Sequence, residues 1–107
     1  MKTFSASEIT TYALKRLDYL GNKVWRQNQV RVPGRAFTGQ KGLSDIQGYH
    51  RISGIACYCE VKTLNDKLSK VQIEFLTESH NSGCFCLVAT QEKDEIILLP
   101  FLNYIMK

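Results

Sequence analysis

Asp45, in Ser44-Asp45-Ile46, and the pair Glu60 and Lys62, in Glu60-Val61-Lys62, are the residues of this 107-residue chain whose types and spacing could do chemistry. The run Ile55-Ala56-Cys57-Tyr58-Cys59-Glu60-Val61-Lys62 is rich in β-branched, aromatic and small apolar residues, and Gly54 bounds it. Side chains alternate along a strand, so Glu60 and Lys62 share one face, their Cα atoms about 6.5 Å apart. Ile55, Cys57, Cys59 and Val61 then point the other way, into a core. Two carboxylates with an adjacent lysine suit metal-assisted hydrolysis. Magnesium takes hard oxygen ligands, is content with one or two protein carboxylates, and fills its shell with water and substrate phosphate. A lysine beside it does not ligate the ion, but it can orient the attacking water or offset charge developing on phosphate. A lone Glu-x-Lys is also an ordinary surface ion pair, so its context on both sides decides.

Charge and length bound that context. The formal charge of +4 and the pI of about 8.9 permit an anionic partner such as nucleic acid without requiring one. The length predicts one small domain spanning residues 1–107. There is no signal pattern and no apolar run long enough to span a bilayer, which predicts a soluble cytoplasmic protein. No repeat, low-complexity tract or Pro/Gly-rich linker divides the chain.

The elements that must position these residues can be read in order. Ser5 with Glu8 has capping-box spacing, and Ile9, Tyr12, Ala13, Leu17 and Leu20 form an apolar stripe that Gly21 ends. Glu8 is either a helix-start charge satisfying the dipole or an additional acid facing the site. Lys23 to Val32 reads as a strand, and Pro33-Gly34 turns the chain. Arg26, Arg31, Arg35 and Lys41 cluster here with Trp25 and Phe37 interleaved. The cluster suits a phosphate backbone with aromatic faces beside it, or is a solvated loop around a buried Trp. Arg51 and Lys67 are further candidate nucleic-acid contacts.

Gly39-Gln40-Lys41-Gly42 leads into a strand over Leu43 to Gln47. Gly48 and Gly54 bracket a short hairpin containing Tyr49, His50 and Arg51, in which His50 reads as exposed or as a proton shuttle. A helix follows from about Ser69 to His80, with Val71, Phe75 and Leu76 as its buried stripe and Gln72 near its start. Cys84 to Thr90 is a continuous apolar run, read as a buried strand beside the Glu-Val-Lys strand. Strand, helix and strand make a βαβ unit. Glu95 to Leu99 reads as a last strand, with Pro100 opening a short helix.

The order is helix, three strands, helix, strand, and on it the residues resemble a family. Gly42-Leu43-Ser44-Asp45-Ile46, then Glu60-Val61-Lys62, then Gln72 are similar to the motifs of the PD-(D/E)XK nuclease superfamily, and within it the small VRR-NUC domain. Trp25-Arg26-Gln27-Asn28 is similar to that group as well. The resemblance covers about residues 4 to 90, and Ser44 stands where the superfamily name has Pro. It implies an α/β fold: a restriction-endonuclease-like αβββαβ core with a mixed central sheet flanked by helices. It implies that Asp45 and Glu60 ligate Mg²⁺ or Mn²⁺ with the backbone carbonyl of Val61, and that Lys62 positions the water. Gln72 would support the site, and Glu8 would be an optional further acid. The activity implied is metal-dependent hydrolysis of DNA phosphodiesters, in branched or flapped structures for several members. The resemblance alone also suggests a compact phage or mobile-element protein.

Two other readings are weighed. Cys57-x-Cys59 and Cys84-x-Cys86 invite a four-thiolate zinc site, but each pair lies mid-strand in an apolar run, whereas structural zinc draws on turns. They are expected to be reduced core residues, with no structural zinc. A nucleic-acid-binding module without catalysis is the remaining alternative. A homodimer is expected, because a two-fold pair would match a branched substrate and enlarge the footprint of a small domain.

Overall fold

The computed structural model describes residues 2–27 and 44–106. Ser5 starts the first helix, α1 (Ala6–Tyr19), through the expected capping box: Glu8 N–H donates to Ser5 Oγ at 3.1 Å and Ser5 N–H donates to Glu8 Oε1 at 3.0 Å. The apolar stripe then buries Ile9, Ala13 and Leu17, while Tyr12 and Leu20 stay exposed. Gly21 ends the helix at φ +99°, a conformation that favours glycine.

Among the described residues β1 (Asn22–Arg26), β2 (Ile46–His50), β3 (Ala56–Val61) and α2 (Lys70–Asn81) follow in sequence. They are followed by β4 (Phe85–Glu92), β5 (Glu95–Pro100) and α3 (Phe101–Ile105). The five strands among the described residues form one sheet in the order β1-β2-β3-β4-β5. Of these, β3 and β4 pair in parallel, across the α2 crossover, and the other neighbouring pairs are antiparallel. This is the expected mixed sheet within an α/β fold, extended by a β4–β5 hairpin and α3.

Helices cover both faces. Ile9, Ala13 and Leu17 of α1 pack on Ile46, Cys57, Cys59, Val61 and Ala89. On the opposite face Leu76 of α2 and Phe101 of α3 pack on Cys86 and Val88. The sheet therefore separates the two cysteine pairs, which all remain free thiols. Burial pushes the Cys57, Cys59 and Cys86 thiols up, so they behave as apolar core groups.

Several boundaries differ from the expectation, each for a tertiary reason. β2 begins at Ile46 and runs through His50, so Gly48 lies within the strand and not at the edge of a hairpin. A Cβ at Gly48 would sit 1.8 Å from the Lys23 carbonyl oxygen, so the close approach of β1 requires glycine there. Ile55 is exposed and not core, because the ladder starts only after it. Val71 is exposed as well, and α2 fully buries Leu76 alone among its described residues. The part of the expected Lys23–Val32 strand beyond Gln27, the Pro33-Gly34 turn, Phe37 and Gly39-Gln40-Lys41-Gly42 lie outside the described residues.

Candidate active site

The register of the first three strands assembles the site. Arg26 opposes Ile46, which opposes Cys59, so one step further Gln27, Asp45 and Glu60 form a row across three strands. Gln27 N–H donates to the Asp45 carbonyl oxygen at 2.8 Å, which continues the β1–β2 ladder to that row. Ile46, Cys57 and Cys59 face α1. By alternation Glu60 belongs to the opposite face, as Tyr58 does, which packs with α2.

Asp45 stands just before β2, and its Oδ2 accepts the Val61 N–H at 2.8 Å. That bond ties the acid to the end of β3. Glu60 is 1% exposed. Its Oε1 accepts Gln72 Nε2–H at 3.1 Å, while Oε2 is buried with no hydrogen-bond partner among the described residues. Burial pushes the Glu60 carboxyl up to about 9, the Asp45 carboxyl beside it adds to the rise, and the Lys62 ammonium opposes it. Among the described residues no N–H or O–H donor reaches Oε2, so a proton or a cation between it and Asp45 would relieve the carboxylates. Two carboxylate groups side by side are a donor set of the kind that a hard divalent cation takes.

Gln72 owes its position to a second capping box. Ser69 N–H donates to Gln72 Oε1 at 2.8 Å, and Gln72 N–H donates to Ser69 Oγ at 3.2 Å. One end of the amide thus caps α2 while the other holds Glu60. Lys62 follows β3, is half-buried, and donates its backbone N–H to the Ala89 carbonyl at 2.9 Å. No ion pair holds its ammonium among the described residues.

Beside Asp45 the strand ends and the start of α1 enclose a cleft of about 260 Å³, lined by Ala6, Thr10, Arg26, Gln27, Asp45 and Val61. A larger hollow of about 870 Å³ lies between Tyr12, Arg16 and β5, away from the Asp-Glu-Lys set. Of the two, the smaller cleft reaches the candidate site, at Asp45 and Val61.

The other candidates fall in several places. Glu8 is exposed, and its carboxylate accepts from Ser5; that bond holds its carboxyl below the usual range. Arg26 lines the cleft. Lys67 is exposed on the β3–α2 connection, at the same end of the sheet as Lys62 and Gln72. Arg51 follows β2 at the opposite end and pairs with Asp18. His50 Nδ1 accepts the Ser53 N–H at 3.3 Å at that far end. Arg31, Arg35 and Lys41 lie outside the described residues. Gln27, named in the sequence only as part of Trp25-Arg26-Gln27-Asn28 and given no role there, lines the cleft together with Thr10, which was not anticipated. Continuing the β1 alternation past Arg26 reaches Gln27, whereas nothing local to Thr10 marks it.

No family model and no curated protein matches the sequence. Solved structures do. Hjc of Archaeoglobus fulgidus, a Holliday junction resolvase from an archaeal hyperthermophile, matches at a TM-score of 0.57 and 19% identity, over 88% of this chain and 75% of that one. A VRR_NUC domain matches at a TM-score of 0.54 and 22% identity, over 81% of this chain and 84% of that one. The mixed sheet with helices on both faces is accordingly the restriction-endonuclease-like fold shared by VRR-NUC domains and an archaeal junction resolvase.

Proposed function

We propose that this protein is a metal-dependent endodeoxyribonuclease that hydrolyses phosphodiester bonds in branched or otherwise structured DNA. The observation that carries the reading is Glu60, buried, clamped by Gln72 and left with an orphaned Oε2 beside the Asp45 carboxylate. Glu60 is buried while Asp45 beside it is exposed, and a buried carboxylate is costly unless a proton or a cation completes it. Asp45, Glu60 and the Val61 carbonyl are the groups that would hold Mg²⁺ or Mn²⁺. When bound, the ion supplies a water made acidic enough to attack and positive charge against the scissile phosphate.

The remaining roles belong to the chain itself. Lys62 orients the attacking water and offsets charge on the phosphate. Gln72 fixes the Glu60 rotamer from the capped start of α2. Glu8 caps α1, and it could serve as the further acid only by giving up Ser5. Arg26 and Lys67 lie at the site end and suit phosphate contacts, as do Arg31, Arg35 and Lys41 by type. Arg51, at the far end and paired with Asp18, suits only a distant arm of a branched substrate. Junction specificity and a homodimer draw support from the likeness to the resolvase fold and from the two-fold logic of a branched target. Among the described residues no helix is long and apolar enough to cross a membrane.

The test is cleavage of labelled four-way-junction, flap, single-stranded and linear duplex DNA with Mg²⁺, Mn²⁺ or EDTA, beside Lys62→Ala. Metal-dependent cutting that the variant loses is expected, with branched DNA cut fastest. Binding by both proteins with no cutting in either metal would instead make the protein a nucleic-acid-binding module.

A further inference from the structure

The same sheet face that carries Glu60 presents two exposed aromatic rings that the hydrolytic site does not use. Register defines their place. Trp25 opposes Gln47, which opposes Tyr58, and Lys23 opposes Tyr49, which opposes Ala56. Residues directly opposite share a face, and so do residues two apart on one strand. Successive rows on the Glu60 face are therefore Gln27-Asp45-Glu60, then Trp25-Gln47-Tyr58, then Lys23-Tyr49-Ala56. Burial agrees: Asn22, Ile46, Cys57 and Cys59, between these rows, are buried, and within the rows Glu60 is the one buried residue, the others being exposed or half-buried.

Tyr58 is covered by Phe75 of α2 in an edge contact, with ring centroids 5.0 Å apart. Among the described residues no helix covers Trp25 or Tyr49 on this face. Trp25 is 41% and Tyr49 44% exposed, and their rings meet edge-on at 6.3 Å and 69°. An edge-on pair leaves ring faces open to a third flat group. Lys23, exposed and cross-strand from Tyr49, holds a positive charge at the border of this patch.

We propose that Trp25 and Tyr49 are a stacking platform for unpaired nucleobases of the substrate, with Lys23 on the adjoining phosphate. The proposal rests on the nucleic-acid reading above and names the substrate feature that the site selects. Strand geometry puts Trp25 one strand and one row from Asp45, about 8 Å between Cα atoms, on the order of two nucleotide steps. A base stacked there leaves its chain running toward the carboxylates. Paired bases already stack on each other and offer the rings nothing, whereas any splayed base has a π-face to give. The charged border favours a polyanion over an apolar protein partner, and Gln47 between the rings adds an amide for base edges. The platform therefore favours flaps, single-stranded arms and open junction centres over fully paired DNA.

Trp25 is the single tryptophan of the chain, so its fluorescence reports the platform directly. The experiment titrates the 107-residue protein, in EDTA, with a thymine oligomer, a flap DNA and a blunt duplex, reading Trp25 emission and DNA anisotropy together. Quenching by oligomer and flap is expected, with Trp25→Ala and Tyr49→Ala weakening flap binding roughly tenfold and duplex binding by less than about twofold. Trp25→Phe, which keeps a ring and the packing, should bind the flap within about threefold of the native protein. Binding without change in Trp25 emission, no binding of the oligomer, or equal losses on flap and duplex would each overturn the platform. So would a dimer that Trp25→Ala converts to monomer, which would make this face a contact between copies. Failure of the nuclease reading shows separately, as quenching without metal-dependent cleavage.

Discussion

Gln72 joins two structures with one side chain: its Oε1 accepts the Ser69 N–H at 2.8 Å, and its Nε2 donates to Glu60 Oε1 at 3.1 Å. The start of α2 and the buried carboxylate are therefore mechanically coupled. Gln72→Ala removes both bonds, so it should lower stability by about 1 kcal/mol for the cap and lower cleavage by about 10- to 100-fold. Gln72→Glu keeps the capping-box chemistry but turns an acceptor toward Glu60, so it should retain the helix and still lose cleavage. Urea melts and single-turnover cleavage of both variants separate the two roles. Native activity in Gln72→Glu would show that the contact to Glu60 is not used.

Glu60 makes stability depend on pH in an uncommon direction. Its carboxyl is raised to about 9 in the fold, against about 4.3 in an unfolded chain. Between those values the folded state holds a proton that the unfolded state has lost. Its contribution is thus complete below the lower value and is lost as pH rises through about 9. In EDTA, the native protein should lose stability relative to Glu60→Gln between pH 5 and 9, measured as urea midpoints. Parallel pH curves for the two proteins would contradict the burial of this acid. On the proposed metal site, Mg²⁺ would displace the same proton, so its apparent affinity should climb across that window.

Asp45 combines a structural bond with a charge, and two substitutions part them. Asp45→Asn retains an oxygen for the Val61 N–H, so it should fold normally while losing metal-dependent cutting by two orders of magnitude or more, roughly the scale for removing a key electrostatic group. Asp45→Ala should lose cutting and also leave the Val61 N–H unpaired, at about 1–3 kcal/mol. Thermal melts with cleavage assays distinguish them. Equal stability of the two variants would mean that the 2.8 Å bond to Val61 contributes little.

At Glu8 the capping role predicts that Glu8→Gln, which preserves the capping box, leaves both melting temperature and cleavage near native values. Glu8→Ala should lower the melting temperature with cleavage retained at low temperature. A large loss of cleavage in Glu8→Gln would instead identify Glu8 as a third acid.

Gly48 is a test of the sheet itself. A methyl group there would meet the Lys23 carbonyl oxygen at 1.8 Å, so Gly48→Ala should separate β1 from β2 and destabilise the protein by more than about 3 kcal/mol. Soluble expression and a urea midpoint are sufficient to check it. A stable variant would require β1 to pair differently from the register described.

By itself the sequence determined what is local. Ser5 with Glu8 specified the start of α1, because a capping box lies within four residues, whereas the second box, Ser69 with Gln72, emerged only in the structure. The alternation of Cys57, Cys59 and Val61 against Tyr58 and Glu60 specified the faces of β3, because the period of a strand is two. The identity and order of Asp45, Glu60, Lys62 and Gln72 pointed to metal-assisted phosphate chemistry and to the fold that the solved structures share. Only the tertiary structure decided which residues meet across strands. Register between β1, β2 and β3 depends on how turns close and how backbones approach, as at Gly48, and no spacing along the chain encodes it. That register set Asp45 opposite Glu60, left Oε2 without a donor among the described residues, and lined up Trp25 and Tyr49 beside them. It also carried Arg51 to the far end of β2, since a strand running antiparallel takes its last residue away from the end where its first one stands.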